Sequence, residues 1–160
     1  MDRGTFTVAG DNITIAGGAT LVFINPDTDV GFEVLRAWVA QDATGTAQQQ
    51  RVRLVTQVTA FPTLTSLTPA PHVLGETSRI VGGTAGAAGT SGIDASAEGA
   101  GAKSVILADA FNNLTGWLWV PTPEERIVMR PGAASGFGLQ LATTPTTLTG
   151  WSFGVTFREL

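Results

Sequence analysis

Residues 121–160 read PTPEERIVMRPGAASGFGLQLATTPTTLTGWSFGVTFREL. Two stretches within them alternate. Phe137, Leu139 and Leu141 are interleaved with Gly138, Gln140 and Ala142. Trp151, Phe153, Val155 and Phe157 are interleaved with Ser152, Gly154, Thr156 and Arg158. A period of two puts one set of side chains on a buried sheet face and the other set outside. The spacing predicts two strands, with Trp151, Phe153, Val155 and Phe157 on the inner face of a central strand of a sandwich. That strand ends almost where the sequence ends, with no catalytic cluster beside it. The expectation is a scaffold that works through its surface and its assembly.

The same period recurs upstream. It predicts strands at Thr5–Ala9, Asn12–Ala16, Thr20–Asn25, Gly31–Ala40, Gln50–Ala60, Lys103–Leu107, Gly116–Val120, Arg126–Arg130, Gly136–Thr143 and Thr149–Arg158. In Gln50–Ala60, Val52, Leu54 and Val58 are expected on one face and Arg51, Arg53 and Gln57 on the other. Asp11-Asn12 and Gly17-Gly18 read as tight turns, and Thr44-Gly45-Thr46 as a longer hairpin loop. Helix signals are nearly absent, because Gly, Thr and Pro interrupt every candidate.

The middle differs. Residues 63–102 are rich in Pro, Gly, Ala, Ser and Thr, and 82–101 approach low complexity. Pro69 and Pro71 oppose a central strand there. The segment is expected to be a long loop excursion, ordered in part by assembly. Short strands with long crossings predict an all-β chain, a β-sandwich of jelly-roll type, forming one domain over residues 1–160. The excursion breaks the even spacing of an up-and-down barrel.

Composition narrows the function. Charged residues are 14% of the chain, against about 25% in an ordinary soluble domain, while hydrophobic residues are 43%. The formal net charge is −4 and Lys103 is the only lysine, so free nucleic acid is an unsuitable partner. With no cysteine, disulfides, thiolate catalysis and cysteine-bound metals are excluded. The start has no signal-peptide pattern and no apolar run approaches a membrane span, so synthesis in a cytoplasm is expected.

Each candidate for chemistry has a plainer reading. His72 is the only histidine and sits in Pro-Ala-Pro-His, without a nucleophile elbow. Asp109 with Glu124 or Glu125 would be the carboxylate pair of a glycan depolymerase, but adjacent glutamates on a strand face opposite ways. Asp27, Asp29 and Asp42 lack calcium-loop spacing, and Asn25-Pro26-Asp27 reads as a turn. The glycines of 82–89 lack the lysine of a phosphate loop. Neither Asn12-Ile13-Thr14 nor Asn113-Leu114-Thr115 is read as a glycosylation site. No cofactor is expected. Trp117 and Trp119 share one strand face, with Phe111 before them, and are expected in the core or a subunit interface, with a ligand platform as the alternative.

The stretch 109–116 (DAFNNLTG), residues 119–128 (WVPTPEERIV) and the closing GWSFGVTFREL resemble small virion proteins of tailed bacteriophages, of the capsid decoration or cement type. The GGTAGAAGTSG stretch is similar to that family too, and the likeness runs over about residues 30–160. The resemblance implies a jelly-roll homotrimer on the outside of a phage head, at three-fold positions, bound to major capsid protein. It also implies an N-terminal anchoring arm, here residues 1–10 with Arg3, Thr5 and Phe6. The alternative reading is a lectin-like head or tail domain that holds glycans on Trp117, Trp119 or the 82–101 loop.

Overall fold

The computed structural model describes residues 4–17, 19–42, 46–132 and 134–160. They form β1 (Thr5–Ile13), β2 (Thr20–Ile24), β3 (Phe32–Gln41), β4 (Gln49–Val58), β5 (Thr63–Ser66), β6 (Ala70–Pro71) and β7 (Val81–Gly82). There follow β8 (Thr90–Ala97), β9 (Lys103–Asn112), β10 (Trp117–Trp119), β11 (Val128–Met129), β12 (Ser135–Leu141) and β13 (Trp151–Glu159). A single 3₁₀ turn at Pro123–Glu125 is the only helical element among the described residues. No helix among them is long and apolar enough to cross a membrane.

The strands form two sheets. One runs β10-β3-β13-β1-β6, with β11 also on β3; the other runs β5-β8-β2-β12-β4-β9, with β7 on β8. All pairings are antiparallel except the short β7–β8 pair. The two inner faces share one core, in which Phe6, Val34, Phe153 and Phe157 of the first sheet join Val22, Leu54, Phe137 and Leu139 of the second. The chain is thus an all-β protein with the two-sheet arrangement of a β-sandwich.

The closing strand lies where its alternation placed it. β13 runs between β3 and β1, and Trp151, Phe153, Val155 and Phe157 are fully buried. Phe157 packs against Phe6 and Phe32, with ring centroids 6.0 and 5.3 Å apart. Glu159 continues the inward set and is buried too. It accepts hydrogen bonds from Ser78 Oγ (2.5 Å) and Arg79 N (2.8 Å), which tie the middle segment to the last strand.

Several expectations are corrected. Thr5–Gly10 does not form an arm: it belongs to β1, and Phe6 is completely buried because it faces the core. Asp11-Asn12 is not a turn. The strand continues through a bulge between Gly10 and Ile13, with Asn12 at φ +52°. No separate strand spans Asn12–Ala16. Arg3, Gly18, Thr44 and Gly45 lie outside the described residues.

In β4, Val58 is exposed and Gln57 is fully buried, opposite to the simple alternation. The second sheet is covered on its outer side as well as its inner side there. Phe61 lies over Phe23, 5.7 Å between ring centroids, and Gln57 Nε2 donates to the Ala60 carbonyl (2.9 Å). Composition alone hid this second covered face.

Residues 63–102 are more regular than a loop. They hold β5, β6, β7 and β8; β8 pairs with β2, and β5 beyond it forms the far edge of the second sheet. Pro71 sits in a two-residue edge strand, where a missing N–H is tolerated. The chain leaves at Thr59–Ala60 and returns past it at Gly99–Gly101, where Gly101 N donates to the Ala60 carbonyl (3.1 Å). A Cβ on Gly99 or Gly101 would sit 1.7 Å from the carbonyl oxygen of Ala60 or Thr59. Part of the glycine content is therefore close backbone packing.

Candidate functional site: an open apolar rim

β9 and β10 are the terminal strands of their respective sheets, on the same side of the molecule. They are joined by a tight corner. Asn112 accepts at its carbonyl from Thr115 N (3.0 Å) and Gly116 N (3.1 Å), and its Oδ1 accepts from Leu114 N (3.0 Å). Gly116 has φ +73°, a left-handed conformation that glycine adopts without steric cost. This corner carries the chain from one sheet to the other within 113–116.

Asn113 holds the corner from inside. It is buried, donates from Nδ2 to Gln41 Oε1 (2.9 Å) and the Thr46 carbonyl (3.1 Å), and accepts at Oδ1 from Gln48 N (2.7 Å). Gln41 Nε2 in turn reaches the carbonyls of Thr147 and Thr149, both at 3.0 Å. The buried amides are satisfied by one another and by backbone, as burial requires. The structural content of DAFNNLTG lies largely in these bonds.

Trp117 and Trp119 pair with Val39 and Ala37, two inward positions of β3, so both rings turn toward the core. Each is half-buried, and Phe111 is buried. Trp117 Nε1 donates to Asp109 Oδ2 (3.1 Å), which fastens β10 to β9 across the gap between the sheets. The two tryptophans close the side of the sandwich. Between them and β9 remains a cavity of about 210 Å³ lined by Ile106, Leu107, Trp119, Glu125 and Ile127.

Alternation then forces Leu118 outward. It is 64% exposed on the outer face of the first sheet, while Val105 and Ile106 on β9, Val120 just after β10 and Val128 on β11 are 47–63% exposed, Val105 lying beside Val55 on the outer face of the second sheet. These residues were not singled out from sequence, although a Trp-Leu-Trp strand with both tryptophans inward must present its leucine outside. Among the described residues β9, ten residues long, pairs only with β4, so its other edge has no partner strand, although Ala110 N donates to Asp109 Oδ1 (2.8 Å). An apolar rim beside a long free strand edge is a surface predisposed to association.

The other candidates are dispersed. Glu124 and Glu125 lie in the 3₁₀ turn, not on a strand, and Glu125 but not Glu124 lines the rim cavity. His72 follows β6, and its Nε2 is 2.7 Å from Thr7 Oγ1 on the outside of the first sheet. Asp27 is paired with Arg79 at 3.5 Å, while Asp29 and Asp42 are exposed. Among the described residues no group of three His, Cys, Asp or Glu side chains is placed to hold a metal ion. No protein-family model matches this chain, and no curated protein matches it.

Proposed function

We propose that this protein is a structural assembly module, a cement or decoration protein on the outside of a bacteriophage head. In this reading it is a homotrimer that binds major capsid protein at three-fold positions and stabilises the shell. The observation that carries it is the rim of Val105, Ile106, Leu118, Val120 and Val128, held open beside the free edge of β9. A chain that buries a large aromatic core and leaves this rim uncovered is suited to bury it against another protein.

The strand order supports the jelly-roll form of the sandwich. With β5–β8 and β11 set aside, eight strands remain, and they pair as first with last, second with seventh, third with sixth and fourth with fifth. That nesting is what a long antiparallel ribbon produces when it is rolled into two sheets. Fold does not license function by itself, so the assignment rests on the rim and on the resemblance. An outer clamp needs no chemistry: an interface of standard size, about 1,200–2,000 Å², repeated over a shell, turns modest affinity into firm attachment.

The test is direct. Purified protein is mixed with undecorated phage heads and the heads are pelleted. The expected result is co-pelleting of the wild type and its loss in a Val105→Asp, Leu118→Asp double variant. Wild-type protein that stays in the supernatant under all conditions overturns the proposal.

A further inference from the structure

β4 buries Gln50, Val52 and Leu54, so Gln49, Arg51 and Arg53 stand on the outer face of the second sheet. Successive outward side chains on a strand are about 7 Å apart. Arg51 lies opposite Ala110 on β9, and its carbonyl accepts from Ala142 N (2.7 Å) on the other side. Arg53 lies between Ala108 and Gln140. Alanines thus flank Arg51 on both sides and Arg53 on one, and neither guanidinium has a carboxylate within ion-pair distance among the described residues. Arg53 Nε is buried without an acceptor there.

At its Gln49 end this face runs into a cavity of about 350 Å³ lined by Gln48, Gln49, Gln50, Thr143, Thr144 and Thr146. All six side chains are uncharged and carry both donor and acceptor groups, of which the Thr144 hydroxyl proton is already donated to the Gly17 carbonyl (3.1 Å). Two of the three amides are held in place: Gln50 is buried and donates from Nε2 to Gln48 Oε1 (3.3 Å), and Gln48 N is fixed by Asn113 Oδ1 (2.7 Å). The volume lies within the ~300–1,000 Å³ of small-ligand sites.

Hydroxyl and amide groups around one cavity suit a compact polyol, which carries hydroxyls on every side. An extended peptide presents its backbone polar groups on two edges only. The guanidinium fork, always charged and planar, suits a carboxylate. We propose that this face binds an acidic polysaccharide of the uronate class, with one sugar ring in the Gln/Thr cavity and neighbouring carboxylates on Arg51 and Arg53. The site is separate from the rim and does not depend on the cement reading. The net charge of −4 offers such a ligand no long-range attraction, so the affinity comes from these local contacts.

The experiment titrates the full chain with trigalacturonate, with maltotriose and triglutamate as comparators, by calorimetry. Trigalacturonate binds, and more weakly as salt rises. Arg51→Ala with Arg53→Ala weakens it by about tenfold or more, and Thr146→Val weakens it further. The paired Arg→Lys variant keeps the charge and loses the fork, so it falls between. An unchanged melting transition shows that each variant is folded. No binding of trigalacturonate, equal binding of maltotriose or of triglutamate, or full affinity in the double alanine variant overturns the proposal. None of these outcomes bears on head pelleting, which tests the rim alone.

Discussion

Asn113 Nδ2 donates to Gln41 Oε1 at 2.9 Å, joining the corner between β9 and β10 to the end of β3. Both residues are buried, so the bond is made out of water, and Asn113 makes further bonds to Thr46 O and Gln48 N. Asn113→Ala removes the partner of all three groups at once. The expected cost is about 3 kcal/mol, read as a shift of the midpoint in urea unfolding. Retention of wild-type stability would show that the corner is held by other means.

Gly101 and Gly75 contrast two uses of glycine. A Cβ at 101 meets the Thr59 carbonyl oxygen at 1.7 Å, whereas Gly75 has φ +93° with open space around it. Gly101→Ala must push two backbone segments apart and is expected to cost at least about 2 kcal/mol. Gly75→Ala pays only for its left-handed backbone, about 1 kcal/mol. Thermal unfolding of both variants checks the ranking, and the reverse order would count against the close-packed return of the middle segment.

Glu98 carries a pH dependence. Burial pushes its carboxyl up, but hydrogen bonds from Lys103 Nζ (2.7 Å), Thr20 N (2.7 Å) and Thr20 Oγ1 (2.9 Å) outweigh this and hold it below the usual glutamate value. A depressed folded value gives stability that is fully present above the unfolded value, about 4.3. That stability is lost as the pH falls through the lower folded value. Melting temperature measured from pH 6 downward, a range set by that unfolded value of about 4.3, should fall more steeply for the wild type than for Glu98→Gln. Parallel curves would remove Glu98 from the account.

Val105 and Leu118 are about half and nearly two-thirds exposed. Replacing both by Asp should change the stability of the isolated chain by only about 0.5–1 kcal/mol. The same change should abolish self-association in sedimentation velocity. A variant that associates like the wild type would mean that the rim is not the assembly surface.

The alternation of β13 was readable because its neighbours on both sides are strands and its inner face meets a core, the condition that produces a period of two. Gln57 defied the same rule because the turn that follows β4, with Ala60 and Phe61, folds back over the outer face and meets Gly99 there, while Val58 stands exposed at the end of the strand. The resemblance puts Phe6 in an anchoring arm, whereas the local period of two reads Thr5–Ala9 as a strand. The place of Phe6 beside Phe157 depends on pairing with residues about 150 positions away.

The amino-acid sequence by itself determined that this is an all-β chain without cysteine chemistry or long helices, because composition and short-range periodicity act locally. Only the tertiary structure decided that the middle segment adds strands to both sheets and that Asn113 locks the corner. It alone also decided that an apolar rim and a pair of arginines without acidic partners among the described residues remain on the surface. Those features arise from contacts between residues far apart in the chain, and no local pattern encodes which faces such contacts will cover.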